Sequence, residues 1–107
     1  MNLEELKERI KKFNNERDWD KFHSPENLSK SISIEAGELL ECFQWDNDKF
    51  DKDCVKDEMA DIFVYLLDLS NKLGIDLIEE TNNKMDKNEQ KYPIDKCKGK
   101  STKYDKL

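Results

Sequence analysis

Apolar residues in this chain recur at spacings of three and four and almost nowhere alternate. That single pattern leaves helices as the regular structure the chain can build. Leu3, Leu6, Ile10 and Phe13 open the series, with Asn2 placed as an N-cap and Glu5 at the capping-box spacing. Ser24-Pro25-Glu26 combines an N-cap serine with a proline at the first helical position. The second helix is expected to run to about Trp45, with Leu28, Ile32, Ala36, Leu39, Leu40 and Phe43 as its stripe. After a polar loop over 46–52, a third helix should start near Asp53 and stop at Gly74, a C′ glycine. Its stripe is Val55, Met59, Ile62, Phe63, Leu66 and Leu73. Asp76 and Glu79 repeat the capping spacing, and a fourth helix from Leu77 should end near Gln90, before Tyr92-Pro93. Residues 16–23 and those from about 91 onward are expected to be irregular.

Helices need something to pack against, and here apolar material is scarce. Charged residues make up 41% of the 107 positions and hydrophobic ones 36%. A domain this short buries a modest share of its surface and is marginal alone. The expected architecture is therefore all-α, a bundle built on a helical hairpin and completed by oligomerisation. Residues 1–107 are expected to form a single domain with a basic tail from about 91. Net charge is −6, which disfavours a nucleic-acid partner. The tail from 91 carries six lysines against Asp95 and Asp105, so the rest of the chain holds −10. An acidic body suits a metal and a basic tail suits phosphate; a merely solvated tail fits the charge equally well. No apolar run is long enough to span a membrane, and the charged N-terminus has no signal-peptide character. Three scattered cysteines fit a reducing compartment, so a cytoplasmic location is expected.

The acidic residues are not spread evenly. A short connection makes the second and third helices antiparallel neighbours. At about 100° per residue, Glu35 borders one apolar stripe and Glu38 lies about 60° round the same flank. Glu58 and Asp61 repeat that design on the third helix. Positions 38 and 58 average to 48, as do 35 and 61, and residue 48 lies in the connecting loop. A hairpin folded there brings the four carboxylates to one height. Unpaired carboxylates at the margin of a core resist desolvation. A hard divalent cation relieves this, and all-oxygen ligands suit Mg²⁺, with Mn²⁺ as a substitute. The competing reading is a solvated acidic face, for the chain has 25 acids. Glu41, one turn beyond Glu38, is a candidate for activating water, or is simply exposed to solvent.

Tyr65 falls on the flank of Glu58 and Asp61, Trp45 closes the second helix, and Trp19 and His23 precede it. Aromatic faces can stack on a base, although core packing is the commoner fate of a tryptophan. Lys84 and Asn88 form an i, i+4 pair fit for a phosphate and a sugar or base, or for water.

Glu35-x-x-Glu38, a spacer of 19 residues and Glu58-x-x-Asp61 resemble the signature of the MazG-like, all-α nucleoside triphosphate pyrophosphohydrolases. Glu16-Arg17-Asp18-Trp19, Phe22-His23-x-Pro25-x-Asn27-Leu28, Phe43-Gln44-Trp45 and Lys84-Met85-Asp86-x-Asn88 are similar to the dCTP pyrophosphatase branch. So are Tyr92-Pro93 and Lys103-Tyr104-x-x-Leu107. The resemblance implies helices packed as a dimer, commonly doubled into a tetramer. It implies Mg²⁺ on Glu35, Glu38, Glu58 and Asp61, and a nucleotide pocket lined by Trp19, His23, Trp45, Tyr65, Lys84 and Asn88, partly from a neighbouring subunit. One departure bears on the base. Some dCTP-preferring relatives carry a histidine in the first helix where this chain has Ile10. The same reaction on dUTP or a modified nucleotide is thus an alternative, and a helical interaction module without enzymatic activity is another.

Overall fold

The computed structural model describes residues 1–107, and its regular structure is entirely helical. Two compact units divide it, Met1–Ile75 and Asp76–Leu107.

In the first unit, α1 spans Leu3–Glu16, and Asn2 Oδ1 accepts from Glu5 N at 2.9 Å at its start. Asp18 then turns back with φ 54, a left-handed conformation that aspartate tolerates better than most residues. This reversal lets Trp19 N donate to Asn14 O at 3.0 Å and sets the Trp19 ring edge-on to Phe13 at 5.5 Å. A 3₁₀ turn, Asp20–Phe22, follows inside the segment expected to be irregular. It is pinned from two sides. Lys72 Nζ lies 2.6 Å from Asp20 Oδ1, and Asn27 Nδ2 donates to Phe22 O at 2.9 Å.

The second helix, α2, spans Pro25–Glu41, with Ser24 Oγ accepting from Asn27 N at 3.2 Å. It stops four residues short of Trp45. Cys42, Phe43 and Gln44 each donate to the residue three back, so the last turn tightens and runs out before the tryptophan. The third helix, α3, spans Lys52–Leu73, capped by Asp51 and ended by Gly74 at φ 64. As the short connection between them leads one to expect, α2 and α3 form the main packed pair of the unit, with α1 lying against α3.

Ile10, Leu28 and Leu67 are the buried apolar residues. The stripe expected on the third helix is therefore only partly inward. Met59, Phe63 and Leu73 are exposed, while Leu67, outside that stripe, is fully covered. On α2, Leu40 is 73% exposed. One side of α3 meets α1 and α2, and Met59, Phe63 and Leu73 lie exposed on the rest of it.

In the second unit, α4 spans Leu77–Lys91, with Asp76 Oδ1 accepting from Glu79 N at 3.1 Å. The tail is more ordered than expected. A short α5 occupies Ile94–Cys97 and a 3₁₀ turn Tyr104–Lys106. Tyr92 holds the tail: its ring meets Tyr104 edge-on at 6.1 Å, and its Oη accepts from Tyr104 N at 3.3 Å. Lys91 Nζ sits 4.7 Å from the Tyr104 ring centroid.

Candidate active site

The α2–α3 hairpin brings carboxylates from both helices together. Oxygens of Glu35, Glu38 and Glu58 all lie within 4.8 Å of one another. Asp61 is outside that group of three but near enough for its charge to act on Glu35 and Glu58. Glu35 and Glu58 are half-buried, while Glu38 and Asp61 are exposed. Burial, and then hydrogen bonding with Glu58 and Glu38, pushes the Glu35 carboxyl up to about 7 from an ordinary 4.5. Glu58 is raised too, burial again being the largest cause. Oε2 of Glu35 and Oε2 of Glu58 are buried and lack hydrogen-bond partners. The reason is chemical: ionised carboxylates only accept, so without a proton shared between them acceptors face acceptors.

That arrangement fits a hard cation. The donors are all oxygen, two of them orphaned, and their mutual repulsion is what a divalent ion removes. The ligand cluster contains no cysteine. Cys42 and Cys54 obey the same register about residue 48. A hydrogen bond with Cys54, and then burial, pushes the Cys42 thiol up to about 11.

Beside the carboxylates opens a cleft of about 580 Å³. Glu35 and Asp61 stand at its acidic end, Trp19, His23 and Tyr65 form aromatic walls, and Leu6, Ile10, Phe13 and Val64 supply apolar surface. The His23 ring lies edge-on to both Trp19 and Tyr65, at 6.4 Å from each. Ile10 lines this cleft and is buried.

Within the first unit, not every residue singled out in the sequence converges here. Trp45, beyond the end of α2, is 89% exposed and does not line the cleft. Glu41 is exposed and borders a separate hollow with Leu40, Phe43 and Gln44. Lys84 and Asn88 are on α4 in the second unit; Lys84 is exposed and Asn88 Nδ2 lies 3.8 Å from Met85 Sδ. Sequence reasoning also missed two cleft residues, Asn14 and Asp68, which join across 54 positions at 3.0 Å. Asn14 sits at a helical spacing from Ile10 on α1, and Asp68 from Tyr65 on α3, which was the available signal.

The model of the MazG-like family matches residues 30–107, a span that contains all four carboxylates. The chain belongs to the MazG-like family. It is 34% identical over 114 residues to dCTP pyrophosphatase 1 of Mus musculus, covering 98% of this chain and 67% of that protein. To dCTP pyrophosphatase 1 of Homo sapiens it is 33% identical over the same length. Among solved structures it resembles a pyrophosphatase from Archaeoglobus fulgidus, with a TM-score of 0.78 and 42% identity, covering 85% of this chain and 92% of that one. MazG-like membership agrees with the all-helical architecture.

Proposed function

We propose that this MazG-like chain is a Mg²⁺-dependent nucleoside triphosphate pyrophosphohydrolase that converts a dNTP, preferentially dCTP or a related pyrimidine nucleotide, to dNMP and pyrophosphate. The observation that carries this reading is the adjacency of an unsatisfied carboxylate cluster and an aromatic-walled cleft. The names of the mouse and human relatives support the substrate class.

Glu35, Glu38, Glu58 and Asp61 would hold the cation. When bound, Mg²⁺ neutralises phosphate charge and favours in-line displacement. The chain's own residues do the rest. Trp19, His23 and Tyr65 hold the nucleoside end and exclude water from one side. Glu41 receives the proton of the attacking water, its exposed position leaving the side chain free to turn. Attack falls on the α-phosphorus, and pyrophosphate leaves. Lys84 and Asn88 are assigned to phosphate and sugar or base, and Trp45 to the nucleotide, on family resemblance; a second copy of the chain is the natural source of such contacts.

The outward apolar side of α3 and the exposed Leu40 support an oligomer, proposed as a dimer of dimers. The family match runs across both compact units, which supports a single working domain over 1–107. The scattered free cysteines support a cytoplasmic location, where the reaction would serve to clean the nucleotide pool.

One experiment tests the reaction. Hydrolysis of dCTP in ¹⁸O-labelled water should place the label in dNMP and release pyrophosphate without orthophosphate. Label in the pyrophosphate would move the attack to another phosphorus and sink the mechanism. Ile10 favours a second reading, the same chemistry on dUTP or a modified nucleotide, because it places apolar surface where some relatives have a polar group. A panel of dNTPs separates the two. If Mg²⁺ leaves the melting temperature unchanged, the acids are a solvated face, and a helical interaction module becomes the better account.

A further inference from the structure

The end of the cleft away from the acidic cluster has a polar floor of its own. Asp68 lies there, with its side chain 6% exposed. Its Oδ2 accepts a hydrogen bond from Asn14 Nδ2 at 3.0 Å and lies 3.1 Å from His23 Nδ1, the ring being turned short of hydrogen-bond alignment. Both contacts use the same carboxylate oxygen, and both partners line the cleft.

The spacing along α3 says which part of a nucleotide would meet this floor. Asp61, Tyr65 and Asp68 are four and three residues apart, share one face of the helix, and all line the cleft. Seven residues separate Asp61 from Asp68, and at about 1.5 Å each they set the two roughly 10 Å apart along the axis. If phosphates sit at the carboxylate cluster, as proposed above, the base is the part that arrives at Asp68.

The hydrogen-bonding character of the floor follows from elementary chemistry. An ionised carboxylate only accepts. Asn14 must therefore turn its Nδ2 toward Asp68, which leaves the Asn14 amide oxygen as an acceptor. Asp68 Oδ1 takes no part in either contact. Ile10, Phe13 and Val64 add apolar surface to the cleft, and its donors are carried by Arg9, Trp19, His23 and Tyr65. The free acceptors at the Asp68 end are the Asn14 amide oxygen and Asp68 Oδ1.

We propose that Asp68, with the Asn14 amide it orients, selects the base: the acceptor-lined floor favours the exocyclic amine of a cytosine over the keto oxygen of a uracil or thymine at the same ring position. A keto base would set acceptor against acceptor at Asp68, and leaving buried polar groups unpaired is how sites reject near-isosteres. This inference rests on the nucleotide reading of the cleft and adds to it the residues that discriminate.

The test is steady-state kinetics of the full chain on dCTP and dUTP with Mg²⁺. In Asp68→Asn the new amide can accept from Asn14 and turn its own NH₂ into the cleft, replacing an acceptor by a donor. The ratio of kcat/KM for dCTP over dUTP should fall by about 10- to 100-fold, mainly through KM, with the Mg²⁺ dependence unchanged. Asn14→Ala should lower the same ratio by a smaller factor. If Asp68 merely braces α1 against α3, both substrates weaken together and the ratio stays fixed, which overturns the inference. Should Asp68→Asn not fold, the Asn14→Ala ratio decides: a fall supports the assignment and an unchanged ratio overturns it. A wild-type chain that releases no pyrophosphate from any dNTP removes the nucleotide reading and this inference with it. One that turns over dCTP and dUTP equally removes this inference alone.

Discussion

The two ends of α3 both hold carboxylates at the edge of the core, and they are treated differently. At the far end, Asp68 is buried but accepts from Asn14 at 3.0 Å. At the acidic end, Glu58 meets Glu35 and Glu38, and Oε2 atoms of Glu35 and Glu58 are left with no donor. One carboxylate is satisfied by the protein itself. The others are satisfied by nothing in the chain, and two of them hold their protons more tightly as a result. The lesson is that burial alone does not mark a carboxylate as a metal ligand. What marks it is whether the fold leaves it facing other acceptors or supplies a donor, as Asn14 does for Asp68 Oδ2.

The largest expected effect breaks the acidic end. Glu38→Gln should keep its helicity and lose more than about 100-fold in turnover, since even residues that only support a metal ligand are worth 10- to 100-fold. Near-normal pyrophosphate release would remove Glu38 from the ligand set. Next comes Glu41→Gln, expected to lower kcat by about 100-fold with KM little changed, in line with the loss of a general base. An unaltered kcat returns Glu41 to the solvent-facing class that its exposure alone would suggest.

The third prediction sharpens the comparison through pH. Folding raises the Glu35 carboxyl from 4.5 to about 7, so the folded, metal-free chain binds a proton that the unfolded chain has released. The stability this contributes is full below about pH 4.5 and is lost as pH rises through about 7. Metal-free protein should therefore melt higher at pH 5 than at pH 8. Mg²⁺ should narrow the gap by stabilising the deprotonated cluster, as a ligand bound only to the folded state does. Glu35→Gln should raise the metal-free melting temperature at pH 8 and leave it nearly unchanged at pH 5. Melting curves at the two pH values, with and without Mg²⁺, check all three statements. A metal-free protein most stable at pH 8 would contradict them.

The smallest effect concerns the satisfied end. Asn14→Ala leaves the buried Asp68 oxygen without its donor and should cost about 1–3 kcal/mol of stability, read from urea denaturation. A negligible cost would mean that water replaces the amide.

What the sequence made legible, and what it did not, follows the same physical division. Local signals were readable: Asn2, Ser24 and Asp76 are caps where their spacing placed them, and Gly74 ends α3. The meeting of Glu35, Glu38 and Glu58 was readable as well, because a short antiparallel hairpin fixes register from chain length alone. Trp45 was placed on a helix that tightens and ends at Glu41, a difference of four residues that periodicity does not encode. The Tyr92–Tyr104 contact that orders the tail, and the Asn14–Asp68 bond, join residues 12 and 54 positions apart. No local pattern marks such partners, since each is polar or aromatic in a way that many unpaired neighbours also are. Exposure of Met59 and Phe63 was hidden for another reason: an apolar residue at helical spacing looks the same whether its own chain or a second copy covers it.

Glu58, Asp61, Tyr65 and Asp68 all ride on the uninterrupted α3. A helix turns by about 100° with each residue. One residue inserted between Glu58 and Asp68 would swing everything on one side of it more than a quarter-turn away from the cleft, and a deletion would do the same in the opposite sense. The loop over 46–51 has no such constraint, because lengthening a flexible connection costs little entropy. Drift in the length of this protein over evolutionary time should therefore collect between α2 and α3 and stay out of α3 altogether.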